Sequence, residues 1–166
     1  MSAATQESMQ LGAPAVRAQG GARRGLIVDD DPDMRRLLAD FLRGEGFRVD
    51  QAGDGAEALR RVYEEPFESV VLDKNLPGPS GLEILPLLHA LVPGIPVIVI
   101  TAFGDERTVE EAFARGAYDI FLKPFSLDDL LNVLRRAGEE TEGTGGSATE
   151  HRGGPEDWGG SPGEGG

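Results

Sequence analysis

The stretch LIVDDDP, residues 26–32, decides the fold. Its apolar half, Leu26 to Val28, is typical of a short strand that is buried on both faces. Asp31 and Pro32 then indicate the start of a helix, because Asp caps the first turn and Pro fits the first helical position. The apolar residues of that helix share one face, at Met34, Leu37, Leu38, Phe41 and Leu42. The stretch therefore predicts a strand and a helix joined by a cluster of acids.

The same unit recurs along the chain. Further apolar runs predict strands at 47–52, 69–73, 96–100 and 119–122, and helix-start signals follow them near residues 54, 80, 106 and 126. The run at 96–100 is the most apolar and is placed centrally. Strands that alternate with helices in this way predict an α/β fold. We expect one doubly wound, five-stranded parallel sheet, covered on both faces, with strand order 2-1-3-4-5.

Two helix boundaries follow from local signals. Ser80 and Glu83 have the spacing of a capping box at the start of the third helix, and Pro86 is expected to kink or loosen its first turns. Gly138 is expected to end the last helix.

The folded domain is predicted to cover residues 23–137. Residues 1–22 are small and polar, and residues 138–166 are acidic and rich in glycine. Such composition offers too little apolar surface to offset the entropy of an ordered chain. Both segments are therefore predicted to be disordered tails.

Composition excludes several classes of protein. The net charge of −13 disfavours direct binding to nucleic acid, whose phosphates would repel the chain. The absence of cysteine excludes disulfides and thiolate metal sites and is compatible with the cytoplasm, which is the predicted location. No apolar run approaches the length of a membrane span.

Polar residues lie at or just after the carboxyl ends of four of the predicted strands: Asp29, Asp30, Asp31, Asp73, Thr101 and Lys123. The small residue Ala102 follows Thr101. Each has an ordinary explanation when taken alone. Asp31 would cap a helix, Thr101 would bond its own backbone, and Lys123 would be a solvated strand end. Because the carboxyl ends of parallel strands meet at one edge of a sheet, these side chains are instead expected to converge on a functional site.

The chemistry of this set is specific. Neighbouring carboxylates repel one another unless a cation joins them, and oxygen ligands favour Mg²⁺, with Mn²⁺ as the alternative. A carboxylate beside such an ion can attack phosphorus and form an acyl phosphate. An ammonium group, a hydroxyl and backbone amides would stabilise the charge of the transferred group.

Four motifs, LIVDDD, VLDKNLPGPSG, VITAFG and GAYDIFLKPF, occur in order at the ends of the expected strands. Over residues 24–137 they resemble the receiver domain of two-component response regulators. The resemblance implies a CheY-like, flavodoxin-like fold and a single-domain response regulator that takes a phosphoryl group from a histidine kinase or a phosphotransfer protein. It also implies that the domain signals to a protein target, which the sequence does not identify, and is not an enzyme beyond accepting and slowly losing its own phosphoryl group.

Position by position, the resemblance implies a metal site made by Asp29, Asp30, Asp73 and the main-chain carbonyl of Asn75. Asp30 would be a direct ligand, and Asp29 would act through water.

The remaining matches concern the phosphoryl group. The resemblance makes Asp73 the phosphoacceptor, Thr101 the hydroxyl that turns towards the phosphoryl group, and Ala102 the small residue that leaves room for it. Lys123 would pair with a phosphoryl oxygen, and the Lys123–Pro124 peptide bond would be cis.

One position departs from the family pattern. Three residues before Lys123 the family usually has an aromatic residue that rotates inward with the threonine, but this chain has Ile120. Phe121 is expected to point to the other face of the strand and cannot substitute. Ile120 therefore favours an alternative function, a docking module that works without phosphorylation.

A phosphatase of similar topology is a further alternative. Such enzymes place a second acid two residues after the nucleophile, where this chain has Asn75.

Overall fold

A computed structural model describes residues 23–143 of the chain. The strands are β1 (Arg24–Val28), β2 (Arg48–Ala52), β3 (Ser69–Asp73), β4 (Val97–Thr101) and β5 (Asp119–Leu122). The helices are α1 (Pro32–Gly44), α2 (Gly55–Glu64), α3 (Gly81–Leu91), α4 (Glu106–Ala114) and α5 (Leu127–Gly143). Strands and helices alternate without exception in this part of the chain, as the apolar pattern predicts.

The strands form one parallel sheet in the order β2-β1-β3-β4-β5, which confirms the predicted fold class and strand order. Every residue of β3 and β4 is buried. β3 takes the middle of the sheet and β4 lies beside it, so the most apolar run is interior but not central.

Two separate cores cover the two faces of the sheet. The core on one face includes side chains from α2, α3 and α4, and the core on the other face includes side chains from α1 and α5. Ile120 belongs to the first core and Phe121 to the second. The expectation that these neighbours point to opposite faces is therefore confirmed, because successive side chains of a strand alternate.

Side-chain caps begin α1 and α3 at the predicted residues. Asp31 accepts a hydrogen bond from the Asp33 backbone N–H at 2.9 Å. Ser80 and Glu83 form the full capping box, since each side chain accepts from the other residue's backbone N–H. These bonds satisfy donors that the first helical turn leaves without a partner.

Pro86 lies inside α3, which is continuous from Gly81 to Leu91. A proline has no N–H, so the carbonyl oxygen of Leu82, four residues earlier, has no helical donor. Arg115, which caps the end of α4, supplies a donor through Nη1 at 2.9 Å. A contact between two helices thus compensates for the proline.

The prediction that Gly138 ends the last helix is wrong, because α5 continues through it to Gly143. Glycine inside a helix costs about 1 kcal/mol, which neighbouring contacts can offset. Here the Tyr118 hydroxyl donates to Glu140 Oε1 at 2.5 Å, and Arg23 Nη1 donates to the Arg135 carbonyl at 3.1 Å. The predicted boundary at 137 therefore falls inside the helix.

The predicted tail at 1–22 lies outside the described residues, as does the part of the other tail beyond residue 143. Within residues 23–143, no helix has both the length and the apolar character needed to span a membrane.

Candidate functional site

The register of the sheet aligns the carboxyl ends of its strands. Val28 pairs with Leu72, Asp73 pairs with Ile100, and Thr101 pairs with Leu122. Asp73, Thr101 and the residues that follow the other strand ends therefore lie at one edge of the sheet. This alignment brings the predicted acids, the threonine and the lysine to the same end of the molecule.

Asp29, Asp30 and Asp73 form a carboxylate cluster in which one oxygen of each lies within 4.8 Å of the others. Asp29 is 3% exposed and Asp73 is 5% exposed, whereas Asp30 is on the surface. The cluster therefore has two buried carboxylates and one that faces solvent. Asp31, the third acid of the run, instead caps α1.

The pKa of Asp29 is raised to about 6. Burial is the largest cause, and the negative charge of Asp73 also contributes to the rise. The hydrogen bond that Asp29 Oδ1 accepts from the Asp31 N–H, at 2.9 Å, and the charge of Lys123 oppose the rise. The pKa stays raised because these two effects are smaller than the others. Buried oxygen donors with surplus negative charge fit a hard divalent cation, which would relieve both the repulsion and the loss of solvation.

Lys123 supplies the positive charge on this side of the cluster. Its Nζ lies 3.4 Å from Asp73 Oδ2 and 3.8 Å from Asp29 Oδ2. Its backbone N–H donates to the Thr101 carbonyl at 2.9 Å, and this bond holds the residue beside β4. The Lys123–Pro124 peptide bond is cis, as the family resemblance implies.

The start of α3 packs directly on the backbone of Asp73. The Asn75 N–H donates to Asp73 Oδ1 at 3.1 Å, and the Gly81 N–H donates to the Lys74 carbonyl at 2.7 Å. A methyl group on Gly81 would overlap the carbonyl oxygen of Asp73 and would lie 2.9 Å from the Lys74 Cα. Glycine at 81 is therefore required for this close approach.

Thr101 is buried, and its hydroxyl bonds the backbone of its own loop. Oγ1 donates to the Phe103 carbonyl and accepts from the Phe103 N–H, both at 3.2 Å. Ala102 is exposed, and the Phe103 ring is 75% exposed. In this structure the hydroxyl thus holds the loop after β4, which agrees with the ordinary explanation of a threonine at this place.

Arg35 on α1 also contacts the site, and the sequence reasoning missed it. Its Nη1 donates to the main-chain oxygen of Asp29 at 2.7 Å, and its Nε donates to Gln51 Oε1 at 3.3 Å. Every residue type has the same backbone carbonyl, so the pattern of residue types could not have indicated this bond.

Comparison with known proteins agrees with this geometry. Residues 26–135 match the family model described as the response regulator receiver domain. An NtrX-like response regulator of Rickettsia bellii is 40% identical over 119 residues, which cover 70% of this chain and 25% of that protein.

Solved structures of receiver proteins are also similar. A CheY-like receiver domain protein from Methanospirillum hungatei superposes with a TM-score of 0.72 at 30% identity, over 75% of this chain and 100% of that one. A response regulator protein from Burkholderia pseudomallei superposes with a TM-score of 0.66 at 29% identity, over 73% of this chain and 71% of that one. That structure contains a phosphorylated aspartic acid, a calcium ion and citrate.

The chain spans about a quarter of the length of the curated relatives it matches. The expectation of a single-domain regulator therefore stays a prediction. The fold, the match over residues 26–135 and the similarity to solved receivers agree with one another. The chain belongs to the family of response regulator receiver domains, the receiving modules of two-component signalling.

Proposed function

We propose that Asp73 accepts a phosphoryl group from a histidine kinase or a phosphotransfer protein. The observation that carries the proposal is the buried Asp73 carboxylate, which lies in a cluster of acids with the Lys123 Nζ 3.4 Å from its Oδ2. A carboxylate that is held by a lysine and a backbone amide can act as a nucleophile towards phosphorus. The phosphorylated aspartate in the similar Burkholderia pseudomallei protein supports this role.

Mg²⁺ or Mn²⁺ is the proposed cofactor. Asp29, Asp30, Asp73 and the main-chain carbonyl of Asn75 would hold it, since carboxylate and carbonyl oxygens are the ligands these ions prefer. When bound, the cation supplies positive charge that neutralises the phosphoryl oxygens and the acidic cluster. The calcium ion in the Burkholderia pseudomallei structure is a hard cation of the same class.

In the proposed reaction, a carboxylate oxygen of Asp73 forms a bond to phosphorus. The bond from phosphorus to the imidazole nitrogen of the donor breaks, and its electron pair stays on that nitrogen. The transferred group carries charge on its equatorial oxygens, which the Lys123 ammonium would neutralise. The Thr101 hydroxyl would donate to one of these oxygens, and the methyl side chain of Ala102 would leave room for the group.

The signal would pass to a protein target by a shift between two conformations of the domain. We propose no direct contact with nucleic acid, because the net charge is −13. A cytoplasmic location is part of the same proposal.

The direct test is incubation of the protein with Mg²⁺ and acetyl phosphate, with intact mass as the measurement. Wild type should gain one phosphoryl group, and Asp73→Asn should gain none. Asp40→Asn, which removes an exposed carboxylate on α1, is the matched control and should be labelled like wild type. Equal labelling of Asp73→Asn and wild type would refute the assignment.

A second function is favoured by one observation. Ile120 is 4% exposed and is packed in the core beneath α4, so position 120 has no aromatic ring that could rotate with Thr101. The alternative is a docking module whose partner binds equally in either state. Beryllofluoride, a phosphoryl mimic, distinguishes the two functions: a docking module should show unchanged amide chemical shifts beyond the site, and a switch should show changes across α4, β5 and α5.

A phosphatase is disfavoured by Asn75, which occupies the place of the second acid. Turnover of a phosphomonoester that Asp73→Asn abolishes would restore that candidate.

A further inference from the structure

Arg35 binds the main chain of Asp29. The guanidinium donates to the main-chain oxygen of Asp29 through Nη1 at 2.7 Å, a short bond from a charged donor. The other backbone group of Asp29 is also bound, since its N–H donates to the Ala52 carbonyl at 3.1 Å. The main chain of Asp29 is therefore fixed on both sides, by β2 and by α1.

The guanidinium is itself held in place. Its Nε donates to Gln51 Oε1 on β2 at 3.3 Å. Gly53 in the loop after β2 lies against the guanidinium, because a methyl group there would be 3.3 Å from Nη1, a tight contact that would shift the guanidinium slightly. One side chain thus connects α1, the end of β1 and the end of β2. The planar fork of arginine, with donors in fixed directions, suits this arrangement better than the single ammonium of lysine.

The fixed backbone also orients the carboxylate. Oδ1 of Asp29 accepts from the Asp31 N–H at 2.9 Å, so the side chain can turn only as far as the main chain of residues 29–31 allows. Oδ2 lies 3.8 Å from the Lys123 Nζ. If Arg35 were lost, this segment could shift, and the repulsion between Asp29 and Asp73 would favour a wider spacing of the carboxylates.

We propose that Arg35 is a positioning residue that holds the Asp29 carboxylate ready for a divalent cation. The inference rests on the proposed function, because it concerns the same cluster. Arg35 would touch neither the cation nor the phosphoryl group. Groups that orient metal ligands through one hydrogen bond typically contribute about 10- to 100-fold to metal affinity.

Mg²⁺ affinity of the full chain, measured by calorimetric titration, tests the inference. Arg35→Gln should raise the Kd for Mg²⁺ about tenfold. Arg35→Lys should restore part of the loss, because an ammonium can reach one of the two acceptors but not both. At saturating Mg²⁺, acetyl phosphate should label Arg35→Gln at a rate close to that of wild type. The Mg²⁺ concentration needed for half of the maximal labelling rate should rise, and the maximal rate should not change.

Arg36 offers a matched control, because it is exposed on the same helix and carries the same charge. Arg36→Gln should leave the Kd unchanged; an equal rise in Arg36→Gln would show that only net charge matters and would overturn the inference. Gln51→Ala, a milder change that frees Nε, should raise the Kd about two- to threefold and keeps the test valid if Arg35→Gln fails to fold.

The outcomes separate the two proposals. A wild-type protein that binds no Mg²⁺ overturns the proposed function and this inference together. A wild-type protein that binds Mg²⁺, with Arg35→Gln and Gln51→Ala binding equally well, overturns the role of Arg35 alone. A lowered melting temperature of Arg35→Gln with an unchanged Kd would also overturn it, since that result describes a purely structural residue.

Discussion

Arg115 and Leu82 are joined by a hydrogen bond of 2.9 Å from the arginine Nη1 to the leucine main-chain oxygen, the oxygen that Pro86 leaves without a helical donor. Truncation of Arg115 would leave this partly buried carbonyl unsatisfied. We expect Arg115→Ala to lower the free energy of unfolding by about 1–3 kcal/mol. Urea denaturation of the two proteins measures the difference.

A double-mutant cycle with Pro86→Ala isolates the cause. Alanine at position 86 restores the N–H donor that the Leu82 carbonyl lacks, so Arg115→Ala should cost about 1 kcal/mol less in the Pro86→Ala background than in wild type. Glu111→Ala removes only the ion pair that Arg115 makes within α4, and it should cost about 0.5 kcal/mol at most. Equal costs of Arg115→Ala in both backgrounds would disprove the link to the proline.

Gly81→Ala should disturb Asp73 directly. The added methyl group would overlap the Asp73 carbonyl oxygen, and backbone atoms have little freedom to move aside. We expect a loss of at least about 2 kcal/mol in the free energy of unfolding, with slower labelling of Asp73 by acetyl phosphate in the fraction that folds.

Gly44→Ala at the end of α1 is the control for Gly81→Ala, because no atom lies within 4 Å of the added carbon. It should be neutral or stabilising by up to about 1 kcal/mol, and labelling should not change. If Gly81→Ala behaved like Gly44→Ala, the close approach of α3 to Asp73 would be disproved.

The raised pKa of Asp29, about 6 instead of 3.8, predicts an unusual pH dependence of stability without metal. Between these two values the folded state binds a proton that the unfolded state has lost. The contribution of Asp29 to stability is therefore greatest below the unfolded value and falls as the pH rises towards 6. Urea denaturation from pH 4 to pH 8 should show wild type losing stability relative to Asp29→Asn across this window.

Mg²⁺ should reverse that trend, because the cation binds the charged form of Asp29 and competes with the proton. Saturating Mg²⁺ should raise the melting temperature more at pH 8 than at pH 5. A difference between wild type and Asp29→Asn that is independent of pH would contradict the raised pKa.

Thr101→Val should loosen the loop after β4 without changing the volume of the side chain. The Phe103 N–H and carbonyl would each lose a hydrogen-bond partner. We expect a loss of about 1–2 kcal/mol in stability, together with faster hydrogen exchange of the Phe103 amide. Thr101→Ser keeps the hydroxyl and should preserve the protection of that amide; slow exchange in Thr101→Val would show that the loop is held by other contacts.

The fold was predictable from local patterns. Apolar runs such as Leu26 to Val28 are long enough for strands only, and caps such as Asp31 and Ser80 mark helix starts. With right-handed crossovers, this alternation favoured a doubly wound sheet. The gathering of Asp29, Asp73 and Lys123 followed from the topology alone, since parallel strands end at the same edge.

Contacts made by tertiary packing were not predictable. Glycine is a residue type typical of a helix end, but α5 continues past Gly138 to Gly143. The hydrogen bond from Tyr118 to Glu140 holds the part of the helix that follows Gly138. The bond from Arg35 to the Asp29 main chain depends on the placement of α1 over the sheet and not on any residue type at position 29. The orientation of the Thr101 hydroxyl was not predictable either, because a phosphoryl oxygen and a backbone carbonyl oxygen can both accept its hydrogen bond.

The Thr101 hydroxyl can donate one hydrogen bond, and in this structure it donates to the Phe103 carbonyl. A phosphoryl group on Asp73 that recruits the hydroxyl must therefore compete with the loop for that hydrogen bond. Thermodynamic linkage makes the competition reciprocal. A partner that binds the loop with the Thr101–Phe103 bond intact lowers the affinity of the site for a phosphoryl mimic. A partner that binds the loop with this bond broken raises that affinity, and the mimic raises the affinity for the partner by the same factor. Coupling of this kind needs no aromatic ring at position 120.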